Sequence, residues 1–113
     1  LQYILKYMNV EFENPALRDL YENGKSREYK AFSKSKVKVA AYIRVIALMM
    51  GAKNIEDIKA MSFLHYEKLK HSYSGYSSVR IKNGEIERLI FKEKDDKLTI
   101  ALITLSTDHY GNK

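Results

Sequence analysis

Along residues 7–12, YMNVEF, positions of high strand propensity alternate with polar ones, and this period of two predicts a first strand. The pattern changes at Asn14, an N-cap residue followed by Pro15 at the first helical position; ALRDLYEN then runs to Gly24, which can close a helix in a left-handed conformation. The next stretch, GKSREYKAF, fits neither period. It either extends a helical hairpin or forms a loop carrying Lys25, Arg27 and Lys30, and most charge runs of this kind are solvated faces. Ser33 is read as the cap of a longer helix through Met50, with Val39, Ile43, Ile46 and Met50 as its buried stripe. Ala47, Leu48 and Met49 exceed what one packing face requires, so either a partner protein covers them or the helix is more deeply buried. Asn54 is read as the cap of a short helix, IEDIKAM, after which the chain turns extended at Phe63 and Leu64.

From Tyr66 to Phe91 the alternation belongs to a sheet. Asn83-Gly84 between two alternating segments is a strong hairpin signal and predicts a two-residue type I′ turn. That turn pairs Lys82 with Glu85, Arg80 with Glu87 and Val79 with Arg88, which sends Arg80 and Arg88 to opposite faces. A second hairpin around Asp95-Asp96 pairs Glu93 with Leu98, Phe91 with Ile100, Leu89 with Leu102 and Arg88 with Ile103. Leu89, Phe91, Ile100 and Leu102 then share one face. At roughly 1.5–3 kcal/mol for each large apolar side chain fully buried, that is the face expected to meet the helices. The other face carries Arg88, Ile90 and Ala101, and unbroken alternation from Ile103 brings His109 to the same side.

Composition narrows the class. The 113 residues, 45% hydrophobic and with a single proline, fit one domain over 1–113 that can bury a core; Leu1 at the start and Met8 shortly after leave open whether residues 1–7 precede the native start or belong to a longer chain. There is no cysteine, so disulfides and thiolate metal sites are excluded, and no apolar run is long enough for a membrane span; the chain is read as cytoplasmic. Lys and Arg outnumber Asp and Glu by 20 to 14, a net charge of +6 that favours an anionic partner without requiring one. Three histidines at 65, 71 and 109 do not form a metal-ligand spacing, and no cofactor motif is present.

These residues suit phosphodiester chemistry. RNA carries its own nucleophile, the 2′-hydroxyl. Cleavage then needs a base, an acid and cations that stabilise the phosphorane. Arg88 and Lys70 fit the cationic role, His109 the acid or base, and Tyr73, Tyr76 or Tyr110 stacking on a base or donation to phosphate. Each also has a structural reading: Arg80 as a surface pair with Glu87, Lys68 as a solvated lysine, His65 as a satisfied structural histidine.

The order of LYENGKSREYK, LHYEKLKHSYSGYSSVRI, RLIF and the tail TDHYGNK resembles the RelE/ParE superfamily of bacterial toxins, and within it the HigB or plasmid-maintenance killer branch. The resemblance implies an α+β fold: an N-terminal strand, a two-helix hairpin, and a twisted antiparallel sheet packed on the helices. It also implies a ribosome-dependent endoribonuclease that cuts messenger RNA, needs no cofactor, and is neutralised by an antitoxin, often a helix-turn-helix protein through which any DNA contact is made. Carried over by motif, Lys70 and Arg88 match the family's lysine and arginine, and Asp108, His109 and Tyr110 its C-terminal cluster; Lys70, Arg88, His109 and Tyr110 are taken as catalytic, and Lys68, His71, Tyr73 and Asp108 as RNA contacts. In the family position just before the lysine, which holds histidine, this chain has Glu67, with His65 and His71 on either side. A ParE-like toxin acting on gyrase and a non-catalytic nucleic-acid-binding module are the competing implications.

Overall fold

The structure is a computed structural model and describes residues 7–107. Asp108, His109 and Tyr110 lie outside the described residues. In chain order the elements are β1 (Asn9–Phe12), α1 (Pro15–Asn23), α2 (Lys30–Ser33), α3 (Lys36–Gly51), α4 (Ile55–Ala60), β2 (Glu67–Lys68), β3 (Ser77–Arg80), β4 (Arg88–Glu93) and β5 (Thr99–Ser106). Short 3-10 turns at Ser62–Leu64 and His71–Tyr73 bracket β2, so the chain is turned, not extended, at Phe63 and Leu64.

Local signals place α1 and α4. Asn14 Oδ1 accepts from the Ala16 amide at 2.9 Å, and Gly24 closes α1 at φ 75° with its amide on the Leu20 carbonyl. Asn54 caps α4 in the same way through the Asp57 amide. The long helix departs from its sequence pattern. Its cap is Ser35, whose Oγ accepts from the Lys38 amide; Ser33 instead ends α2, its Oγ donating to the Tyr29 carbonyl at 2.7 Å and accepting from the Ser26 amide. Its buried stripe is Val39, Tyr42, Val45, Ile46 and Met49, while Ile43 and Met50 are only partly covered. Tyr42 turns the helix: its hydroxyl reaches the Leu17 carbonyl on α1 at 2.7 Å, so the whole side chain can be buried with its polar end satisfied, and burial raises its pKa. Met49 is therefore core, not surplus.

The sheet has the order β1-β5-β4-β3-β2, with β1 parallel to β5 and every other pair antiparallel. Leu89, Phe91, Ile100 and Leu102, fully buried, join residues of α1 and α3 in one core on the helical face. No helix among the described residues is long and apolar enough to cross a membrane.

Both hairpins keep the expected strands and change the register. The Glu85 amide does bond the Lys82 carbonyl at 3.1 Å, but only Gly84 takes a positive φ, 85°, whereas a type I′ turn requires it at Asn83 as well. The next bond runs from the Ile81 amide to the Glu87 carbonyl, so the returning side holds one extra residue and Arg80 pairs with Arg88, not Glu87. Arg80 and Arg88 consequently share a face. Glu87 is drawn the other way, into a 2.7 Å ion pair with Lys38 of α3. In the second hairpin Phe91 pairs with Leu102, two positions beyond the expected register. Lys97 adopts a left-handed φ of 62°, and Asp96 accepts from the Leu98 and Thr99 amides, lengthening the turn. Ile103 is then skipped between the Phe91–Leu102 and Ile90–Thr104 pairs. This bulge breaks the alternation that was to carry His109 to the Arg88 side; His109 itself lies outside the described residues.

Candidate active site

Residues paired directly across an antiparallel sheet share a face, as do residues two apart on one strand. The pairs Glu67–Ser78, Ser78–Ile90 and Arg80–Arg88 therefore place Glu67, Ser78, Arg80, Arg88 and Ile90 together on the face turned away from the helices. Arg88 is only 8% exposed, and its guanidinium is held in place: Nε donates to Ser78 Oγ at 2.8 Å, and Nη2 donates to the carbonyls of Ser78 and His65. His65 presents that carbonyl from a left-handed backbone, φ 47°, at the end of a 3-10 turn. None of these bonds uses Nη1. An arginine fixed on two sides, with a further pair of N–H groups, is a preorganised donor for an anion.

Its surroundings strengthen that character. Arg80 is the cross-strand neighbour, and like charges directly opposed cost stability unless an anion joins them. The Nε of Arg80 is buried without a hydrogen-bond partner among the described residues. Glu87, expected beside Arg80, is committed to Lys38, whose pKa is raised chiefly by that hydrogen bond. The carboxylate that the register does bring to this face is Glu67, half-buried on β2.

The remaining sequence candidates divide. Lys70, His71 and Tyr73 lie on the turn that follows β2, with Lys70 and His71 exposed and Tyr73 half-buried. Lys68 pairs with Ser77 and so belongs to the opposite face from Glu67; it lines a separate cavity of about 290 Å³ with Tyr76, Ser77 and Glu93. Asp108, His109 and Tyr110 lie outside the described residues. Sequence reasoning missed Glu67, Ser78 and the carbonyl of His65. The two-residue strand β2 is too short to show a period, although Glu67 next to LKH was visible as the departure from the family's histidine.

A second polar cluster sits on the helical face. The Glu93 carboxylate accepts from the Tyr66 hydroxyl and from Ser77 Oγ at 2.7 Å, and those two hydroxyls lie 3.1 Å apart. Burial, with the Glu93 hydrogen bond second, pushes the Tyr66 phenol up to about 12. Its ring packs on Phe91 and lies under Lys59 Nζ.

No protein-family model matches the chain, and no curated protein matches it by sequence. Solved structures do. A YoeB/ParE toxin from Agrobacterium tumefaciens matches at 19% identity and a TM-score of 0.53, over 90% of this chain and 100% of that one. The RelBE2 toxin–antitoxin complex from Mycobacterium tuberculosis matches at 18% identity and 0.51, over 90% and 99%. A YoeB dimer from Staphylococcus aureus matches at 22% identity and 0.50, over 91% and 98%. The chain has the α+β fold of these toxins, helices on one face of a five-stranded sheet and Arg88 on the other.

Proposed function

We propose that this protein is the toxin of a type II toxin–antitoxin pair, an endoribonuclease that cuts messenger RNA on the ribosome and arrests growth. The observation that carries the reading is Arg88, buried and fixed at two nitrogens beside an unpaired Arg80 Nε, on a fold shared with YoeB and RelE toxins. In the reaction, the 2′-hydroxyl attacks the adjacent phosphorus, the P–O5′ bond breaks, and a 2′,3′-cyclic phosphate remains. Arg88 Nη1 and Lys70 neutralise the phosphorane. Glu67 accepts the 2′-hydroxyl proton, and His109 with Tyr110 supplies a proton to the departing 5′-oxygen. His71, Tyr73, Asp108 and Lys68 hold the flanking RNA, Lys68 from the far side of the β2 edge. No step calls for a metal.

The partner is a cognate antitoxin. The RelBE2 structure is itself a toxin–antitoxin complex, and a helix-turn-helix antitoxin, as in the HigB branch, would give the pair its DNA contact. The compartment of such a toxin is the cytoplasm.

Expression of Arg88→Lys and Arg88→Gln from a titratable promoter, with mapping of cleaved messages in an in vitro translation reaction, tests the reading. Lysine retains the charge but cannot make the fork to Ser78 and His65, so both variants should lose cleavage. Wild-type cleavage by both would sink it. A ParE-like action on gyrase predicts the contrary pattern, growth arrest that survives Arg88→Gln with no cleaved message at all.

A further inference from the structure

Four of the cations that the proposed reaction leaves unused are gathered in one place. Lys25, Arg27, Lys30 and Lys34, with Ser26 and Ser33, line a concavity of about 1010 Å³ between the end of α1 and the start of α3. The loop is folded back on itself. The Ser26 amide bonds Ser33 Oγ, Ser33 Oγ donates to the Tyr29 carbonyl, and the Tyr29 hydroxyl is tied to Thr104 Oγ1 at 3.0 Å and to the Leu105 amide on β5. Residues at the two ends of the run therefore face one hollow, on a wall anchored to the sheet.

Three features of that hollow select its occupant. Among the described residues none of the four cations forms an ion pair, and the lone acid in the lining is Asp19. Every residue that lines it is polar or charged, and its apolar surface comes from the carbon atoms of those same residues, so it lacks the aromatic and aliphatic anchors on which a protein partner depends. A concave surface with no apolar residue to insert also does not fit a lipid bilayer. What remains is an extended polyanion with regularly spaced charges.

We infer that the Lys25–Lys34 concavity is a second docking surface for the phosphodiester backbone of RNA, separate from the face that carries Arg88. It holds RNA beyond the reacting nucleotides and orients the sheet toward the strand that is cut. The identification of the polyanion as RNA rests on the ribonuclease reading.

The test is fluorescence anisotropy with a labelled single strand of about 20 nucleotides, fully 2′-O-methylated so that it cannot be cut, over a salt series. Two variants remove the same charge: K25A/R27A/K34A in the hollow, and K53A/K94A/K97A elsewhere on the surface. Loss of three phosphate contacts should weaken binding by roughly tenfold or more and make the log–log salt slope shallower by about two in the hollow variant, with a much smaller change in the other. Equal loss in both variants, or wild-type binding by the hollow variant, overturns the inference. So does a wild-type protein that ignores the RNA but binds a polyglutamate peptide. Cleavage by Arg88→Lys is scored in parallel: intact cleavage there would sink the ribonuclease reading without touching the hollow, since Arg88 is not part of it.

Discussion

Ser77 and Ser78 are neighbours in sequence and anchor polar clusters on opposite faces of the same sheet. On the helical side, Ser77 and Tyr66 both donate to the Glu93 carboxylate, and the charge is met by hydroxyls that have no competing task. On the other side, Ser78 accepts from Arg88, but the cation keeps Nη1 outside those bonds and faces Arg80 across the strands. One cluster is closed upon itself, whereas in the other Arg80 Nε has no hydrogen-bond partner among the described residues. Buried polar groups that are mutually satisfied specify a fold, whereas a preorganised cation without its counter-charge is where a phosphate gains most.

The largest expected effect breaks the second cluster. Arg88→Gln should reduce message cleavage by about 10²–10³-fold, the loss typical for a single preorganised donor, with residual activity measured in translation extracts. If cleavage falls by less than a factor of a few, the two clusters do not differ in kind. Next comes the closed cluster. Glu93→Ala leaves the Tyr66 and Ser77 hydroxyls only each other as partners and should lower unfolding stability by about 1–3 kcal/mol in urea titrations, leaving growth arrest intact while the protein remains folded.

A finer comparison exchanges the serines. Ser78→Ala should impair cleavage through misorientation of Arg88, and Ser77→Ala should cost about 1 kcal/mol of stability with cleavage unchanged. Equal activity losses in the two would show that the faces are not separable. The smallest effect is alkaline. The Tyr66 phenol is raised from 10.0 to about 12 on folding, so from about pH 10 the unfolded chain releases a proton that the folded one retains. Stability should therefore fall between pH 10 and 12, and Tyr66→Phe should flatten that limb in thermal melts.

Where a short segment determines its own geometry, the structure was legible in the sequence. Asn14, Pro15 and Gly24 bound α1 because a cap needs only its neighbours. Leu89, Phe91, Ile100 and Leu102 could be assigned to one face because a shift of two residues preserves parity. What escaped was whatever a distant contact decides. Lys38 captures Glu87 and helps hold the returning strand one residue out of the hairpin's simplest register, which reverses the relation of Arg80 to Arg88. The bulge at Ile103 does the same for the strand that leads toward His109. The site inherits that division: Arg88 could be named from its motif, but its grip on Ser78 and on the His65 carbonyl depends on a two-residue strand with no period to read.

The position of β5 carries a further consequence, for the timing of assembly. It is the last described strand in the chain yet lies between β1 and β4, and Asn9 pairs with Thr99 across nearly the whole sequence. Pairings so distant are slow to form, and during synthesis this one must await the emergence of β5. Until then β1 has no neighbour in the sheet, and Arg88 stands on an open edge without its Ser106 partner. Made in this order, the chain completes the face that carries Arg88 only once β5 has emerged, leaving an interval in which that face is present but unfinished.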